Sequence, residues 1–310
     1  MKHVIAIDIG GTNIKYALVR QDGAIVFESI CKTRTETNGA LYQLKTAIQA
    51  SLDYVTRNNL KTVGIGIGVP SIVDDGVVLF ANNLPEINNQ NLKQIVEDSF
   101  CLPTFVDNDA NLMGLGEFRY GKIGDASDIV FLTIGTGIGG ALIINKQLWG
   151  GYRNKGTELG HMIIRYDGKP CSCGATGCLE AYASVTALID DYNTELAKDN
   201  TSCLNTTKID GKYIVAKYLE REALAVRVME NHFKYMATGI VGIINIFAPQ
   251  RVILGGGISE AGDFYVDCIT KLVMKQVMKE TSEYVDIQSA SLGNKAGFCG
   301  AAALVFENEQ

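Results

Sequence analysis

The sequence predicts an α/β protein built from two related lobes, and three observations predict it. A β-rich run at residues 3–9, the turn Gly10-Gly11-Thr12-Asn13 and a second β-rich run at 14–20 open the chain. The same order of strand, glycine turn and strand returns at 128–134, 135–137 and 139–145, about 120 residues further on. Segments of helical spacing and isolated β-rich runs fill the intervals, as an α/β alternation requires.

The elements follow in order. Residues 23–30 add a third antiparallel strand to the opening hairpin. Leu41, Leu44, Ile48, Leu52 and Val55 recur at helical spacing. A strand at 62–68 is ended by Val69-Pro70, and 71–92 is loop-rich and polar. A brief strand at 103–107 leads into a helix that Asn108 opens and that reaches Tyr120. Residues 223–247 form a long apolar helix stopped by Pro249, followed by a buried strand at 251–254, Gly255-Gly256-Gly257 and a final helix at 298–306. These intervals predict one lobe from residues 1–107 with 297–310 and a second from 108–296.

Composition narrows the function. Twenty-eight basic against 34 acidic residues give a formal charge of −6, which offers no basic face to nucleic acid or anionic lipid. No apolar run approaches the ~20 residues that span a bilayer, and Asp8 interrupts the first apolar run too early for a signal peptide. A cytoplasmic protein is expected. Its eight cysteines are then reduced thiols rather than disulfides.

The two glycine turns suit phosphate. Glycines let backbone N–H groups approach phosphate oxygens, Thr12 adds a hydroxyl, and Asp8 at a strand end suits Mg²⁺. The pattern is neither a P-loop nor a dinucleotide fingerprint. A plain tight hairpin explains one such turn, but two copies favour phosphate. Gly255-Gly256-Gly257 offers bare backbone to a base or ribose.

His161, Cys171, Cys173 and Cys178 supply one imidazole and three thiols within 18 residues. A Cys₃His set closes a structural zinc tetrahedron, with Gly174 and Gly177 reversing the chain. Asp107-Asn108-Asp109-Ala110-Asn111 stands at a strand-to-helix junction. Asp109 suits the carboxylate that accepts a hydroxyl proton and Asn108 a neighbour that holds a sugar; helix capping is the competing assignment for Asp107 or Asn108. Glu158 and Glu180 border the cysteine cluster and suit pairs of sugar hydroxyls.

Cys171-Ser172-Cys173-Gly174-Ala175-Thr176-Gly177-Cys178-Leu179-Glu180-Ala181-Tyr182-Ala183-Ser184 resembles the signature of the ROK family (repressors, open reading frames and sugar kinases) of the actin-like ATPase superfamily. Segments 8–15, 108–111, 132–140, 158–161 and 254–258 match in the family's order. The resemblance implies two actin-like (ribonuclease H-like) lobes with an interlobe cleft for ATP and sugar, in a homodimer. It implies Asp109 as catalytic base, and Asn83, Asn108, Glu158, His161 and Glu180 around the sugar. Asp8, Gly10, Gly11, Thr12, Asn13 and Lys15 would serve the nucleotide with Gly135, Thr136, Gly137, Gly256 and Gly257. Two positions depart from the family: Ser172, usually Gly or Pro, and Ser71, often Gly, in a loop that faces the sugar.

The expected activity is ATP-dependent phosphorylation of a hexose, glucose to glucose 6-phosphate, with Mg²⁺ and a structural Zn²⁺. An N-acetylmannosamine kinase is the rival among sugars, and a sugar-responsive repressor or sensor the rival class. Repressor members carry a helix-turn-helix domain ahead of the first phosphate loop, for which a loop starting at Asp8 leaves no room.

Overall fold

A computed structural model describes residues 1–81, 84–198, 209–258 and 261–309. In chain order come β1 (Lys2–Ile9), β2 (Asn13–Arg20), β3 (Ile25–Lys32), α1 (Ala40–Arg57), β4 (Lys61–Val69), β5 (Val73–Asp74), β6 (Val77–Val78), α2 (Leu92–Phe100), β7 (Thr104–Asn108) and α3 (Asp109–Tyr120). Then follow β8 (Ile129–Ile134), β9 (Ile138–Ile144), β10 (Gln147–Leu148), α4 (Glu180–Ala183), α5 (Val185–Lys198), α6 (Gly211–Leu219) and α7 (Ala223–Phe247). The chain closes with β11 (Arg251–Gly255), α8 (Asp263–Val273), α9 (Lys279–Ser282), β12 (Asp286–Ser289) and α10 (Ala296–Asn308). One five-stranded sheet has the order β3-β2-β1-β4-β7, and a second has the order β10-β9-β8-β11-β12.

The expected α/β class is the observed one, and the chain divides into two compact units. The first comprises 1–125, 141–157 and 291–310; the second comprises 126–140 and 158–290. This division does not follow the expected boundary at 107/108, because α3 packs against α10 within the first unit. The crossing is close enough that a Cβ on Gly300 would strike the Leu112 carbonyl and one on Gly116 the Ala296 carbonyl. Glu117, buried on α3, adds a polar tie by accepting from Ser291 N at 3.0 Å and Leu292 N at 2.7 Å.

In the first unit β1 lies between antiparallel β2 and parallel β4, and alternate residues of its apolar run enter different cores. Ile5, Ile7 and Ile9 pack with Leu44 and Ile48 of α1, whereas Val4 and Ala6 pack with Leu112 of α3 and Phe298, Ala301 and Val305 of α10. A strand with both faces covered needs apolar residues at every position, which is why residues 3–7 carry no charge. The loop-rich 71–92 interval holds the small β5–β6 hairpin. Among the described residues no helix is long and apolar enough to cross a membrane.

Register positions the chemistry. β1, β4 and β7 run parallel, with Asp8 opposite Gly68, Gly68 opposite Asp107, and Val69 opposite Asn108. Their C-terminal ends therefore set Asp8, Asp107 and Asn108 along one edge, where open α/β sheets bind ligands. In the second unit β8 and β11 are parallel with Thr133 opposite Gly255, so the turns 135–137 and 255–257 both leave neighbouring strands at the same end.

Candidate functional site

The first glycine turn is closed by Gly10 N donating to Asn13 O at 2.9 Å, and Thr33 Oγ1 fixes it by donating to Gly10 O at 2.6 Å. Gly11 and Thr12 face solvent. Asp8, opposite Lys15 across the hairpin, lies 3.8 Å from its ammonium. Burial raises the Asp8 carboxyl and Lys15 opposes the rise. Lys15 is thus committed first to Asp8.

Asp109 is the first residue of α3, half-buried, with its Oδ1 accepting from Ala110 N at 2.8 Å. A helix N-terminus favours negative charge there. Asn108 is the N-cap: its Oδ1 accepts from Ala110 N at 2.9 Å and Asn111 N at 3.2 Å, and its Nδ2 donates to Ser71 O at 3.2 Å. The capping assignment therefore describes Asn108, and only part of its amide is left for a ligand. Asp107 is buried, and its Oδ1 accepts from Asn108 N at 2.6 Å, Asn154 Nδ2 at 2.8 Å and Asn111 Nδ2 at 3.0 Å. Burial raises its carboxyl against the pull of these three bonds.

The sequence reading missed this hub. The spacing of four between Asp107 and Asn111 could have suggested their contact, but nothing local announces Asn154. Ser71 also differs from expectation. It is buried, and its hydroxyl accepts from Phe80 N at 3.1 Å while donating to Ile72 O at 3.1 Å. The hydroxyl is turned into the loop's own backbone. Asn83 lies outside the described residues.

In the second unit Gly135 N donates to Gly137 O at 2.9 Å, closing the second turn, and Val185 N and Thr186 Oγ1 at the start of α5 donate to Gly135 O and Thr136 O, each at 2.8 Å. A cavity of about 520 Å³ opens beside it, lined by Thr136, Val185, Val215, Leu219, Gly257 and Ile258 among others. Its walls are largely aliphatic, which suits a planar base. Gly256 must be glycine, since φ is +89° and a Cβ would strike the Ile134 backbone.

Glu180 opens α4 and spans two features. Its Oε2 accepts from Ile138 N at 2.8 Å, seated on Gly137, and its Oε1 accepts from Ser172 Oγ at 3.2 Å. Glu158 lies 4.0 Å from His161 Nε2 with 48% of its side chain exposed. Desolvation raises its carboxyl and His161 opposes the rise.

The ligand atoms of His161, Cys171, Cys173 and Cys178 all lie within 4.8 Å of one another. Cys173 Sγ and Cys178 Sγ are 3.7 Å apart, and Cys171 Sγ and His161 Nδ1 are 3.5 Å apart. A zinc tetrahedron with Zn–S near 2.3 Å and Zn–N near 2.0–2.1 Å has S···S edges of about 3.8 Å and S···N edges of about 3.5 Å. The donor set fits that ion. Burial and the neighbouring thiols push Cys178 up to about 12, while the backbone bond with Ala175 holds Cys173 down, and a bound cation would favour the thiolate of each.

The sequence model of the ROK family matches residues 4–308. This chain belongs to the ROK family. Over 98% of its length it is 31% identical to a glucokinase of Halalkalibacterium halodurans, covering 95% of that protein. It is also 31% identical to a putative xylose repressor of Caldicellulosiruptor sp. over 98% of its length, covering 78% of that protein. Among solved structures, a ROK family glucokinase from Streptomyces griseus in complex with glucose and AMPPNP superposes with a TM-score of 0.83 at 31% identity, covering 98% of this chain and 99% of that one. The fold is accordingly that of the actin-like ROK sugar kinases.

Proposed function

We propose that this ROK protein is an ATP-dependent hexose kinase that converts glucose to glucose 6-phosphate. The observation that carries the proposal is the placement of Asp109. It stands at the N-terminus of α3 beside the C-terminal ends of β1, β4 and β7, with its neighbours already committed to internal hydrogen bonds. Relatives named glucokinases, and a neighbour bound to glucose and AMPPNP, support the sugar and the nucleotide.

In this reading Asp109 orients the acceptor hydroxyl and takes its proton late, as phosphoryl transfer requires. A primary hydroxymethyl group is the least hindered nucleophile for it. Asn108, Glu158, His161 and Glu180 hold other hydroxyls, and sugars that leave such groups unpaired are penalised. The backbones of 10–13 and 135–137 hold phosphates, and the aliphatic cavity beside Gly257 holds the base. Mg²⁺, held through Asp8, would neutralise charge on the phosphates. Zinc bound by His161, Cys171, Cys173 and Cys178 would hold the turns that carry Glu158 and Glu180. A reducing compartment, the cytoplasm, keeps such thiols available.

Relatives named xylose repressors keep a second reading alive, in which sugar binds without transfer. A coupled ADP-release screen with MgATP across glucose, mannose, fructose, allose, N-acetylmannosamine and N-acetylglucosamine decides among them. Glucose should give the highest kcat/KM. A value for N-acetylmannosamine or fructose about tenfold higher would replace the substrate, a difference of ~1.4 kcal/mol in transition-state binding. No ADP release with any sugar would remove the kinase.

A further inference from the structure

Asp107 has no part in the chemistry just described, yet three segments of the first unit converge on one of its oxygens. The end of β7 reaches it through Asn108 N, the first turn of α3 through Asn111 Nδ2, and the segment 150–157 through Asn154 Nδ2. Each partner is tied onward. Asn154 Nδ2 also donates to Val73 O at 3.2 Å, Thr157 Oγ1 donates to Asn111 Oδ1 at 3.2 Å, and Asn108 Nδ2 reaches Ser71 O. Asp109 is thus flanked on both sides by residues whose side chains are anchored to separate stretches of chain.

The 150–157 segment is held in a costly shape. Arg153, Asn154 and the β-branched Thr157 have φ values of +51°, +56° and +66°. Such backbone costs on the order of 1–3 kcal/mol per residue and persists only where surrounding contacts over-determine it. Here Arg153 pairs with Asp74 at 2.8 Å, and Gly156 N donates to Gly150 O at 2.7 Å. The strained conformation delivers the Asn154 amide to Asp107. A buried carboxylate, whose ionised form burial penalises, is an expensive acceptor where stability alone is concerned.

We infer that Asp107 is a positioning residue for phosphoryl transfer: its Oδ1, clamped by Asn154, fixes the Asn108–Asp109 junction so that the Asp109 carboxylate meets the acceptor hydroxyl. This rests on the reading of Asp109 as the base. Because misplacement by about 1 Å can cost ~10²-fold in rate, the effect belongs in kcat rather than in sugar binding.

The test compares Asp107→Ala, Asp107→Asn, Asn154→Ala and the Asp107→Ala/Asn154→Ala pair in the full chain. It measures kcat, sugar KM and hydrogen-exchange protection of residues 109–112. Asp107→Ala should lower kcat ~10²-fold with KM within about threefold. Asp107→Asn keeps a carbonyl acceptor and should recover kcat to within about tenfold of wild type. The double variant should be no slower than Asp107→Ala, since both changes break one clamp. Three results overturn the inference: kcat of Asp107→Ala near wild type, Asp107→Asn as slow as Asp107→Ala, or multiplying effects in the double variant. Should Asp107→Ala fail to fold, Asn154→Ala decides, a wild-type kcat overturning the inference. Hydrogen exchange separates this from the kinase reading. If the wild type phosphorylates no hexose, that reading fails by itself, and unchanged protection in Asp107→Ala or Asn154→Ala would sink the positioning role independently.

Discussion

The two units present their proposed sugar-binding residues on supports of different kinds. In the first, Asn108 and Asp109 start a twelve-residue helix whose capping and flanking bonds are complete within the chain. In the second, Glu158 precedes and His161 ends a single 3₁₀ turn, Leu159–His161, and Glu180 opens a four-residue helix. Two backbone bonds of 2.9 Å, Leu179 N to Met162 O and Ile164 N to Gly177 O, join those turns beside a cluster of three thiols and an imidazole, donors that a cation would bind in common. The difference teaches that hydrogen bonds within the chain organise one half of the proposed chemistry, whereas the other carries a donor set that a bound metal would organise. The two should therefore respond to different insults.

Metal removal is the largest expected effect. Elemental analysis should find one zinc per chain, and structural zinc is typically worth ~10–16 kcal/mol in small sites. Chelation, or Cys173→Ser, should lower the melting temperature on the order of 10 °C and raise sugar KM. Hydrogen-exchange protection at 107–111 should stay as it was. An unchanged melting temperature and KM after chelation would erase the distinction between the units.

Next in size is Asp109→Asn, which keeps shape and removes the proton acceptor. It should lower kcat ~10²–10⁴-fold with ATP and sugar binding retained. A loss within about threefold would remove Asp109 as base.

Acid should also separate the units. In the second, His232 is buried with Nε2 2.7 Å from the Tyr265 hydroxyl, and burial pushes it down to about 4. The unfolded chain therefore binds a proton in the window between about 6.5 and 4 that the folded chain refuses. Stability is full above that window and falls by about 3 kcal/mol as pH drops through it. Asp107 in the first unit has the opposite sign. Its raised carboxyl costs stability as pH climbs from the ordinary value of 3.8 through the raised one, so acid relieves it. Melting curves from pH 7 to 4 should show a weaker acid loss in His232→Gln than in wild type. Asp107→Asn should gain on wild type as pH rises. Parallel curves for all three proteins would contradict both signs.

The smallest effect is expected at Ser71. With its hydroxyl bound to Phe80 N, Ser71→Gly should change kcat/KM for glucose by less than about threefold, the value of one modest hydrogen bond. A switch of preferred sugar would show that the hydroxyl governs the pocket after all.

Much of this was legible in the sequence where the signal is local. The hairpin at 2–20 and its echo at 129–144 announce themselves through apolar runs broken by glycine, and the Cys₃His set through its tight spacing. The helix α7 was legible to the residue because twenty-five positions end before Pro249. Less local features were hidden. The nine-residue α2 buries only Leu92 and Val96, too few for a periodic pattern. Asn154 meets Asp107 across 47 positions and through left-handed backbone that no propensity favours. The family resemblance implies that the Ser71 loop faces the sugar, but the hydroxyl there finds the nearer backbone N–H of Phe80.

The most direct test of the central claim is ³¹P NMR of the wild-type chain with MgATP and glucose, run beside Asp109→Asn. The account predicts a phosphomonoester resonance of glucose 6-phosphate growing in step with ADP in the wild type and nearly absent in the variant. Glucose binding shown by calorimetry without any sugar phosphate, or equal product from both proteins, would contradict it.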